Sequence, residues 1–205
     1  MRNVSKKKKE INAHLPEKLK QRLYPVVLDL FSQKDFHQVQ IREICALSGL
    51  SPSTIYRYFS SKEDLLFNII DEKISEIVTL ARFHIQGLES TREILRKIFW
   101  VAMDYYDRNP GVAITAFITV PMRTWMRERS YAKNDVLEVI GDVIIDGHAR
   151  NEIDSVIEPY HIRDLFYMYC HRQIQLWYYH GMKWKLVDTI PRFFNLVWKT
   201  VSASQ

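Results

Sequence analysis

The sequence predicts an all-α fold, with a three-helix helix-turn-helix unit at the N-terminus and a larger helical domain after it. Apolar residues recur at steps of three and four through most of the chain, which is the spacing of one helix face. The 205 residues include only 6 glycines and 7 prolines, fewer breaks than a turn-rich β architecture needs. Hydrophobic residues make up 47% of the chain, enough for a substantial core.

Membrane and secretory segments are not expected. No apolar run approaches the ~18 residues that a membrane span requires, and the basic N-terminus is not followed by the apolar region of a signal peptide. The only two cysteines, Cys45 and Cys170, are far apart in the chain. They suggest a reducing cytoplasm rather than a disulfide framework.

The first helix is predicted from Pro16 to about Gln33. Pro25 lies inside this pattern, and a proline removes a helical hydrogen bond. We therefore expect a kink at Pro25 or a helix that begins later. The apolar residues of the helix form one face: Leu19, Leu23, Val26, Val27, Leu30 and Phe31.

The second helix is predicted from about Ile41 to Ser48. Its apolar spacing predicts that Ile41, Ile44 and either Leu47 or Cys45 are buried.

A tight turn and a short third helix follow. Gly49 suits the turn, since glycine takes conformations that residues with a β-carbon avoid. Ser51 then has the position of an N-cap residue and Pro52 that of the first helical residue. In the helix from Ser51 to Phe59, Ile55 and Phe59 lie four residues apart, so both can face inward.

The outer face of this short helix carries Ser53, Thr54 and Arg57, with Tyr56 on the flank. Small polar and aromatic side chains stand where a core helix would carry aliphatic ones, so this face is left open for a partner. Two short helices around a turn with this pattern are typical of a unit that places its second helix in a DNA major groove. We therefore predict that the partner is double-stranded DNA.

The charge distribution supports this interpretation. Residues 1–70 contain 12 Lys and Arg against 7 Asp and Glu, whereas the remaining residues contain 17 of each, so the whole net charge of +5 lies in the first segment. A basic balance there favours a polyanion partner. The run Lys6–Lys9 supplies four of the charges; it is either a flexible arm that touches DNA or only a solvated basic tail.

Two capping boxes are predicted to open the next two helices. In Ser60–Glu63 and Ser90–Glu93, the serine and the glutamate three residues later can each bond the other's backbone N–H group. They predict helices over residues 60–87 and 90–108. An Asn-Pro-Gly break follows at 109–111, then a shorter helix that ends or kinks at Pro121, and a helix over residues 133–147.

Two bulky helices are predicted to close the chain. Residues 159–181 are apolar on most sides, which indicates a helix buried in a subunit interface as well as in a core. The last helix, from an Asp188 cap to about Ser202, has a clean apolar stripe. Two such helices from each of two chains would make a four-helix bundle, so we expect a homodimer. The predicted interface includes Phe193, Phe194, Val197 and Trp198.

Aromatic residues of the larger domain can line a cavity for a small-molecule effector, although an aromatic stripe more often belongs to a plain core. Such an effector would be largely apolar or aromatic, or a cation held by ring faces. The candidate residues are Trp100, Tyr106, Phe117, Trp125, Phe166, Tyr169 and Trp177. No metal site or cofactor is expected, since His161, His171 and His180 lie nine to ten residues apart and form no compact ligand set.

The segment VVLDLFSQKDFHQVQIREICALSGLSPSTIYRYFSSKEDLLFNII resembles the N-terminal DNA-binding domain of the TetR/AcrR family of bacterial transcriptional regulators. The resemblance covers roughly residues 16–70. One position departs from the family pattern in a way that affects a contact: Gln40 stands where a threonine usually caps the second helix and meets a phosphate. The features shared with the family are Phe31, Phe36, Ile44, Ser48-Gly49-Leu50, Ile55-Tyr56-x-Tyr58-Phe59, Lys62 and Leu65.

The resemblance implies a set of DNA contacts. Lys62 lies in the first turn of its helix, where the macrodipole disfavours a cation, and a phosphate would explain it. Tyr56 and Tyr58 can bond phosphates, although Tyr58 can equally pack in the core. Thr54 can meet a thymine methyl, and Arg57 a guanine edge or a phosphate. The predicted contact set is Gln40, Arg42, Ser51, Pro52, Ser53, Thr54, Tyr56, Arg57, Tyr58 and Lys62.

The predicted organisation is a basic arm (residues 1–15), a DNA-binding domain (16–70) and an effector-binding and dimerisation domain (71–205). The expected protein is a cytoplasmic, nucleoid-associated dimer that binds a palindromic operator and is released by its effector, as repressors of the resembled family are. One alternative is a ligand-independent architectural or cell-cycle DNA-binding protein of the same fold. Another is an enzyme with a DNA-binding appendage, against which stands the lack of a Gly-rich phosphate loop, HExxH or GxSxG.

Overall fold

The computed structural model describes residues 15–127 and 135–203, and within these ranges every regular element is a helix, which confirms the predicted all-α class. A π-helical turn (Thr115–Thr119) follows α6, and a 3-10 helix (Leu186–Thr189) leads into α10. The α-helices of these ranges are α1 (Glu17–Gln33), α2 (Ile41–Ser48), α3 (Pro52–Tyr58), α4 (Lys62–His84), α5 (Thr91–Arg108), α6 (Pro110–Ile114), α7 (Met122–Trp125), α8 (Asp135–Ala149), α9 (Pro159–Tyr179) and α10 (Ile190–Val201).

Helix α1 runs unbroken through Pro25, so the expectation of a later start is wrong. Pro25 lies on the exposed side of the helix. There, water can solvate the Gln21 carbonyl that a residue with an N–H group would have bonded. The opposite face of α1 is buried, as its apolar spacing predicts.

Leu15 corrects the predicted extent of the N-terminal arm. It was assigned to the arm of residues 1–15, but only 6% of it is exposed and it packs in the core around α1. An apolar side chain directly before the first helix gains free energy by covering that core. Lys6–Lys9 lie outside the described residues.

Helix α2 buries Ile44 and Ser48, with Cys45 half-buried. Of the two alternatives for the third buried position, Leu47 is wrong, because 60% of it is exposed. Cys45 and Leu47 lie on opposite sides of the stripe formed by Ile41 and Ile44, so spacing alone did not decide between them.

Both predicted capping boxes are corrected. At the start of α4 the N-cap is Ser61, whose Oγ accepts from the Asp64 N–H at 3.1 Å, while the Asp64 carboxylate accepts from the Ser60 N–H at 2.7 Å. The motif is therefore shifted by one residue. At α5, Ser90 makes no side-chain capping bond. The carboxylate of Glu152 accepts the Thr91 N–H at 2.9 Å instead.

The start of the last helix also differs from the prediction. Asp188 lies inside the 3-10 helix, and α10 begins at Ile190. The capping carboxylate comes from Asp107 of α5, whose oxygens accept from the N–H groups of Leu186 at 2.7 Å and Val187 at 3.1 Å. A distant side chain thus satisfies the donors that a local cap was expected to satisfy.

The described residues form two hydrophobic cores, and Leu28 of α1 packs against both. The first core joins α1 to α4 and takes in Val120 and Trp125 from beyond the predicted boundary at residue 70. The second joins the end of α4 to α5, α6, α8, α9 and α10. Helix α4 crosses residue 70 without a break.

The apolar stripe of α10 faces the second core. Phe194 is fully buried and Val197 is 4% exposed within the single chain. The prediction that these two residues form a dimer interface is therefore wrong, because they have no surface left for a partner. Phe193 and Trp198 are half-buried against the same core.

No helix within the described ranges is long and apolar enough to cross a bilayer.

A polar cluster links α1 to α4 beside the first core. Lys20 Nζ lies 2.7 Å from Glu72 Oε1, and the Tyr24 hydroxyl donates to Glu72 Oε2 at 2.9 Å. Burial raises the pKa of the Glu72 carboxyl, but the bonds from Lys20 and Tyr24 outweigh it, and the pKa ends below its ordinary value. The ionised carboxylate therefore stabilises the fold.

Glu72→Gln is expected to destabilise the protein in a pH-dependent way. Because the pKa is lower in the folded than in the unfolded chain, the Glu72 contribution is complete above the unfolded value of about 4.3 and is lost as the pH falls through the folded value. Urea unfolding from pH 7 to pH 3 should show the gap between wild type and variant closing below about pH 4. Glu138→Gln, in an exposed pair with Arg82, is the control. A gap of constant size would contradict the assignment.

Candidate DNA-binding site

The turn and the start of α3 are built as the sequence predicts. Gly49 ends α2 with φ +65°, in the left-handed region that glycine favours. Ser51 is the N-cap of α3 and its Oγ accepts the Thr54 N–H at 3.1 Å, with Pro52 in the first turn. Ser51 Oγ also lies 2.8 Å from Ser53 Oγ and 2.9 Å from Thr54 Oγ1. The spacing of these residues did not predict that their three hydroxyls form one connected cluster.

Helix α3 presents a polar face to solvent. Ile55 is 1% and Phe59 5% exposed, and they hold the helix against the first core. Ser53 and Arg57 are exposed, and 51% of Tyr56 is accessible. The buried and exposed faces are those that the sequence predicts.

Tyr58 belongs to the core side. It is half-buried and packs against the first core, with its ring centroid 6.4 Å from that of Phe59. Of the two roles that the sequence left open for Tyr58, the structure supports the packing role. Thr54, on the same helix, is half-buried.

Gln40 and Arg42 lie at the start of α2. Gln40 occupies the N-cap position in an extended conformation (φ −119°) and makes no side-chain capping bond. Both side chains are exposed. They therefore lie on the surface where a phosphate contact is sterically open.

Lys62 has partners that its sequence position did not reveal. Its Nζ donates to the backbone carbonyls of Phe36 at 2.8 Å and Val39 at 3.0 Å, and it lies 4.9 Å from the centroid of the Phe36 ring. These contacts explain a cation in the first turn of α4, where the macrodipole disfavours it. Lys62 ties the α1–α2 loop to α4, and its ammonium has a third N–H for another acceptor.

The predicted effector residues do not form one set. Tyr106, Phe166, Tyr169 and Trp177 are buried in the second core, and Trp100 and Phe117 are half-buried against it. Trp125 is removed from the set, because it packs on Phe67 in the first core with ring centroids 4.8 Å apart. Its apolar character fitted either core, so only the fold separates them.

Phe117 lies at the centre of a group of rings around the π-helical turn. Its centroid is 5.4 Å from that of Tyr106, 6.1 Å from Tyr167 and 6.2 Å from His171. In the same turn the Thr115 hydroxyl is buried and has no hydrogen-bond partner. π-helical turns and unpaired buried hydroxyls both concentrate at functional sites.

Deep burial raises the pKa of Tyr106 and of Cys170 well above their ordinary values. Both groups therefore stay protonated and neutral at neutral pH. Within the described residues, no group of three or more His, Cys, Asp or Glu side chains is arranged to hold a metal ion. Tyr106 and Cys170 thus add no charge to the interior of the second core.

The family model described as "Bacterial regulatory proteins, tetR family" matches residues 28–69, which span the end of α1, the helix-turn-helix and the start of α4. The chain contains the DNA-binding domain of the TetR family. It is therefore a DNA-binding transcriptional regulator, not an enzyme, and the DNA contacts lie in its helix-turn-helix.

Relatives within this TetR family share much of the chain. The fatty acid metabolism regulator protein of Bacillus subtilis (strain 168) is 22% identical over 165 residues, 78% of this chain and 84% of that protein. The regulator UidR of Escherichia coli (strain K12) is 30% identical over 124 residues. That match covers 50% of this chain and 63% of UidR, which is less than two thirds.

A solved TetR-type structure shows the same fold. The transcriptional regulator FadR from Bacillus subtilis, crystallised in complex with stearoyl-CoA, superimposes with a TM-score of 0.77 at 17% sequence identity. The match covers 86% of this chain and 96% of that one. The likeness therefore extends through the larger domain, beyond the residues of the family model.

Lys62→Met is expected to destabilise the protein by about 1.5–3 kcal/mol, because the backbone carbonyls of Phe36 and Val39 lose a charged hydrogen-bond donor. The measurement is urea unfolding followed by far-UV circular dichroism at fixed protein concentration. Lys73→Met is the matched control on α4, since the salt bridge of Lys73 to Glu76 is partly exposed and its loss should cost less than about 1 kcal/mol. Equal losses for the two variants would contradict the tie between α4 and the α1–α2 loop.

Proposed function

We propose that the protein is a homodimeric repressor that binds a palindromic operator through its two α3 helices and is released by an apolar effector. The observation that carries the proposal is the division of α3 into two faces. Ile55 and Phe59 fix the inner face in the core, while Ser53, Tyr56 and Arg57 leave the outer face polar and exposed. A short helix held in this way fits the major groove.

The proposed base readers are at the start of α3. The hydroxyls of Ser51, Ser53 and Thr54 can donate to or accept from base edges, and Arg57 can reach a guanine or a phosphate. The proposed contacts to the DNA backbone are made by Gln40, Arg42, Pro52, Tyr56 and the third N–H of Lys62.

The proposed dimer interface lies on the outer side of α9. Large side chains there remain exposed in the single chain, and 60% of Met168 and 82% of Tyr179 are accessible. Exposed apolar patches of this kind mark association surfaces. This placement keeps the α9 part of the predicted interface and leaves out the α10 stripe, within the proposed dimerisation domain of residues 71–205. The exposed large hydrophobic residues of α9 are Tyr160, Tyr167, Met168, Tyr178 and Tyr179.

Selection of bound sequences from random or genomic DNA tests the operator. We expect an inverted repeat with half-sites about one helical turn, ~34 Å, apart. Tyr56→Ala should lose affinity for this motif by at least about tenfold, since its exposed ring and hydroxyl leave the proposed DNA surface.

Phe83→Ala is the control for the operator experiment, because Phe83 is an equally exposed aromatic residue, 66% accessible, on α4 outside the helix-turn-helix. It should select the wild-type motif with wild-type affinity. Selection of a single half-site would contradict the proposed dimer. If no motif is selected and DNA binding is lost at moderate salt, the proposed operator recognition is contradicted.

A long-chain acyl thioester is the proposed effector class. The FadR structure contains stearoyl-CoA, and this chain shares that fold. The support within this chain is the ring group at Phe117 together with the unpaired hydroxyl of Thr115. An acyl chain between the rings would be surrounded by apolar surface, and the Thr115 hydroxyl would have a carbonyl to bond.

Stearoyl-CoA is expected to release the protein from its operator, because a ligand shifts binding only when it prefers the released state. At 100 times its dissociation constant, stearoyl-CoA should stabilise the free protein by about 2.7 kcal/mol, as measured by thermal unfolding. It should also compete with operator DNA in a fluorescence anisotropy assay. Free CoA is the control. Stabilisation without competition would contradict release as the mechanism.

One observation favours the ligand-independent alternative. Phe99 and Phe166 stack with centroids 4.0 Å apart, and Tyr169 stacks on Phe193 at 3.6 Å. Side chains packed in this way fill the space between α5, α9 and α10. An architectural DNA-binding protein would need no such space, and it would show neither stabilisation by the thioester nor release from DNA.

A further inference from the structure

The turn between α2 and α3 is held from a third helix. Arg22, on α1, reaches the turn with its guanidinium, and Nη2 donates to the carbonyls of Ser48 and Gly49, both at 3.0 Å. This contact joins residues that are 26 and 27 positions apart in the chain. It was not part of the DNA-contact set that the sequence predicted.

The Arg22 contact satisfies groups that a helix end leaves unpaired. The last carbonyls of a helix have no partner within it, and they carry the negative end of its macrodipole. A guanidinium at the end of α2 therefore gains both hydrogen bonds and favourable charge. Charge-assisted hydrogen bonds of this kind are stronger than neutral ones, and the planar guanidinium restricts their geometry. They therefore both stabilise the turn and fix its position.

Gly49 gives Arg22 the space to make this contact. A β-carbon at Gly49 would lie 2.7 Å from Arg22 Nη2, inside the distance that real β-carbons keep. Glycine is favoured here by its positive φ, and a β-carbon would in addition displace the guanidinium at the end of the Arg22 side chain. The turn and Arg22 are fitted to each other.

The start of α3 depends on this turn. Leu50 and Ser51 directly follow the two bonded carbonyls, and the seven-residue helix begins at Pro52. Its buried anchors, Ile55 and Phe59, lie toward its C-terminal half. The N-terminal half, which carries the proposed base readers, is therefore directed by the turn that precedes it.

We propose that Arg22 is a positioning residue for base readout: it fixes the α2–α3 turn and thereby the angle at which α3 enters the major groove. It acts through the turn and not through a DNA contact of its own. The proposal rests on operator recognition by α3, as proposed above. Loss of Arg22 therefore lowers discrimination between DNA sequences, while general attraction to DNA falls only by the loss of one charge.

The first test compares Arg22→Met with Lys18→Met, which removes the same charge from an exposed position of α1. Affinity for the selected operator and for random-sequence DNA is measured by anisotropy over a range of salt. We expect Arg22→Met to weaken operator binding by about tenfold and to broaden the selected motif at the bases that α3 reads. Its affinity for random DNA should match that of Lys18→Met.

Equal weakening on operator and random DNA, with the salt slope reduced by about 1, would mean that Arg22 contacts a phosphate, and it would overturn the proposal. A wild-type motif and wild-type operator affinity for Arg22→Met would overturn it as well. A lower melting temperature with an unchanged ratio of operator to random affinity would reduce Arg22 to a stabilising residue, and so would also overturn it.

The second test does not depend on an operator. Hydrogen exchange of the free protein is compared between the variants, peptide by peptide. In Arg22→Met the amides of residues 50–58 should exchange about tenfold faster, because the turn opens locally, while the amides of α5 and those of Lys18→Met stay as in wild type. Unchanged exchange over residues 50–58 would overturn the positioning role, whether or not an operator motif exists.

Discussion

The packing of α1 between the two cores is the constraint on which the structure depends. Leu28 packs against both cores, and Gly111 of α6 lies beside it, where a β-carbon would be in ordinary contact with the Leu28 carbonyl at 3.5 Å. Thr119, at the end of the π-helical turn, donates its hydroxyl to the Phe31 carbonyl at 2.7 Å. The helix that supports the helix-turn-helix is thus fixed to the larger domain through its C-terminal turns.

This arrangement places the candidate regulatory elements in direct contact. The π-helical turn contributes Phe117 to the ring group and Thr119 to the contact with the end of α1. It also accepts a hydrogen bond at the Ala116 carbonyl from Trp125 Nε1 at 3.2 Å, and the Trp125 ring packs on Phe67. A close-packed interior transmits strain because it has no voids to absorb it. Coupling between an effector and DNA therefore needs no long path, since one five-residue turn contacts both cores.

The sequence predicted best where local chemistry acts alone. The bounds of α2 and the faces of α3 followed from Gly49, Ser51 and Pro52, because a left-handed turn and an N-cap restrict the backbone within a few residues. The predictions failed where a distant group replaced a local one, as Glu152 does at α5 and Asp107 at the 3-10 helix. Sequence spacing carries no information about such partners.

The same limit explains the candidate sites. Lys62 was recognised as unusual from its place in a helix, but the carbonyls that account for it belong to a loop more than 20 residues earlier. The aromatic residues of the larger domain are chemically alike, so only the fold could assign Trp125 to the first core and Phe117 to the π-helical turn. The apolar stripe of α10 is compatible with either a core or a dimer interface, and in the structure it packs in the second core.

The hydroxyl cluster of Ser51, Ser53 and Thr54 has a consequence for how a groove is read. Each hydroxyl is both a donor and an acceptor, and rotation about its C–O bond reverses the direction of the hydrogen bonds without moving a heavy atom. The start of α3 can therefore present a proton to a purine nitrogen or a lone pair to an amino group from one and the same backbone. If these hydroxyls read bases as proposed, discrimination at those bases would come from shape and water exclusion, because rotation of a hydroxyl proton would accommodate a changed base.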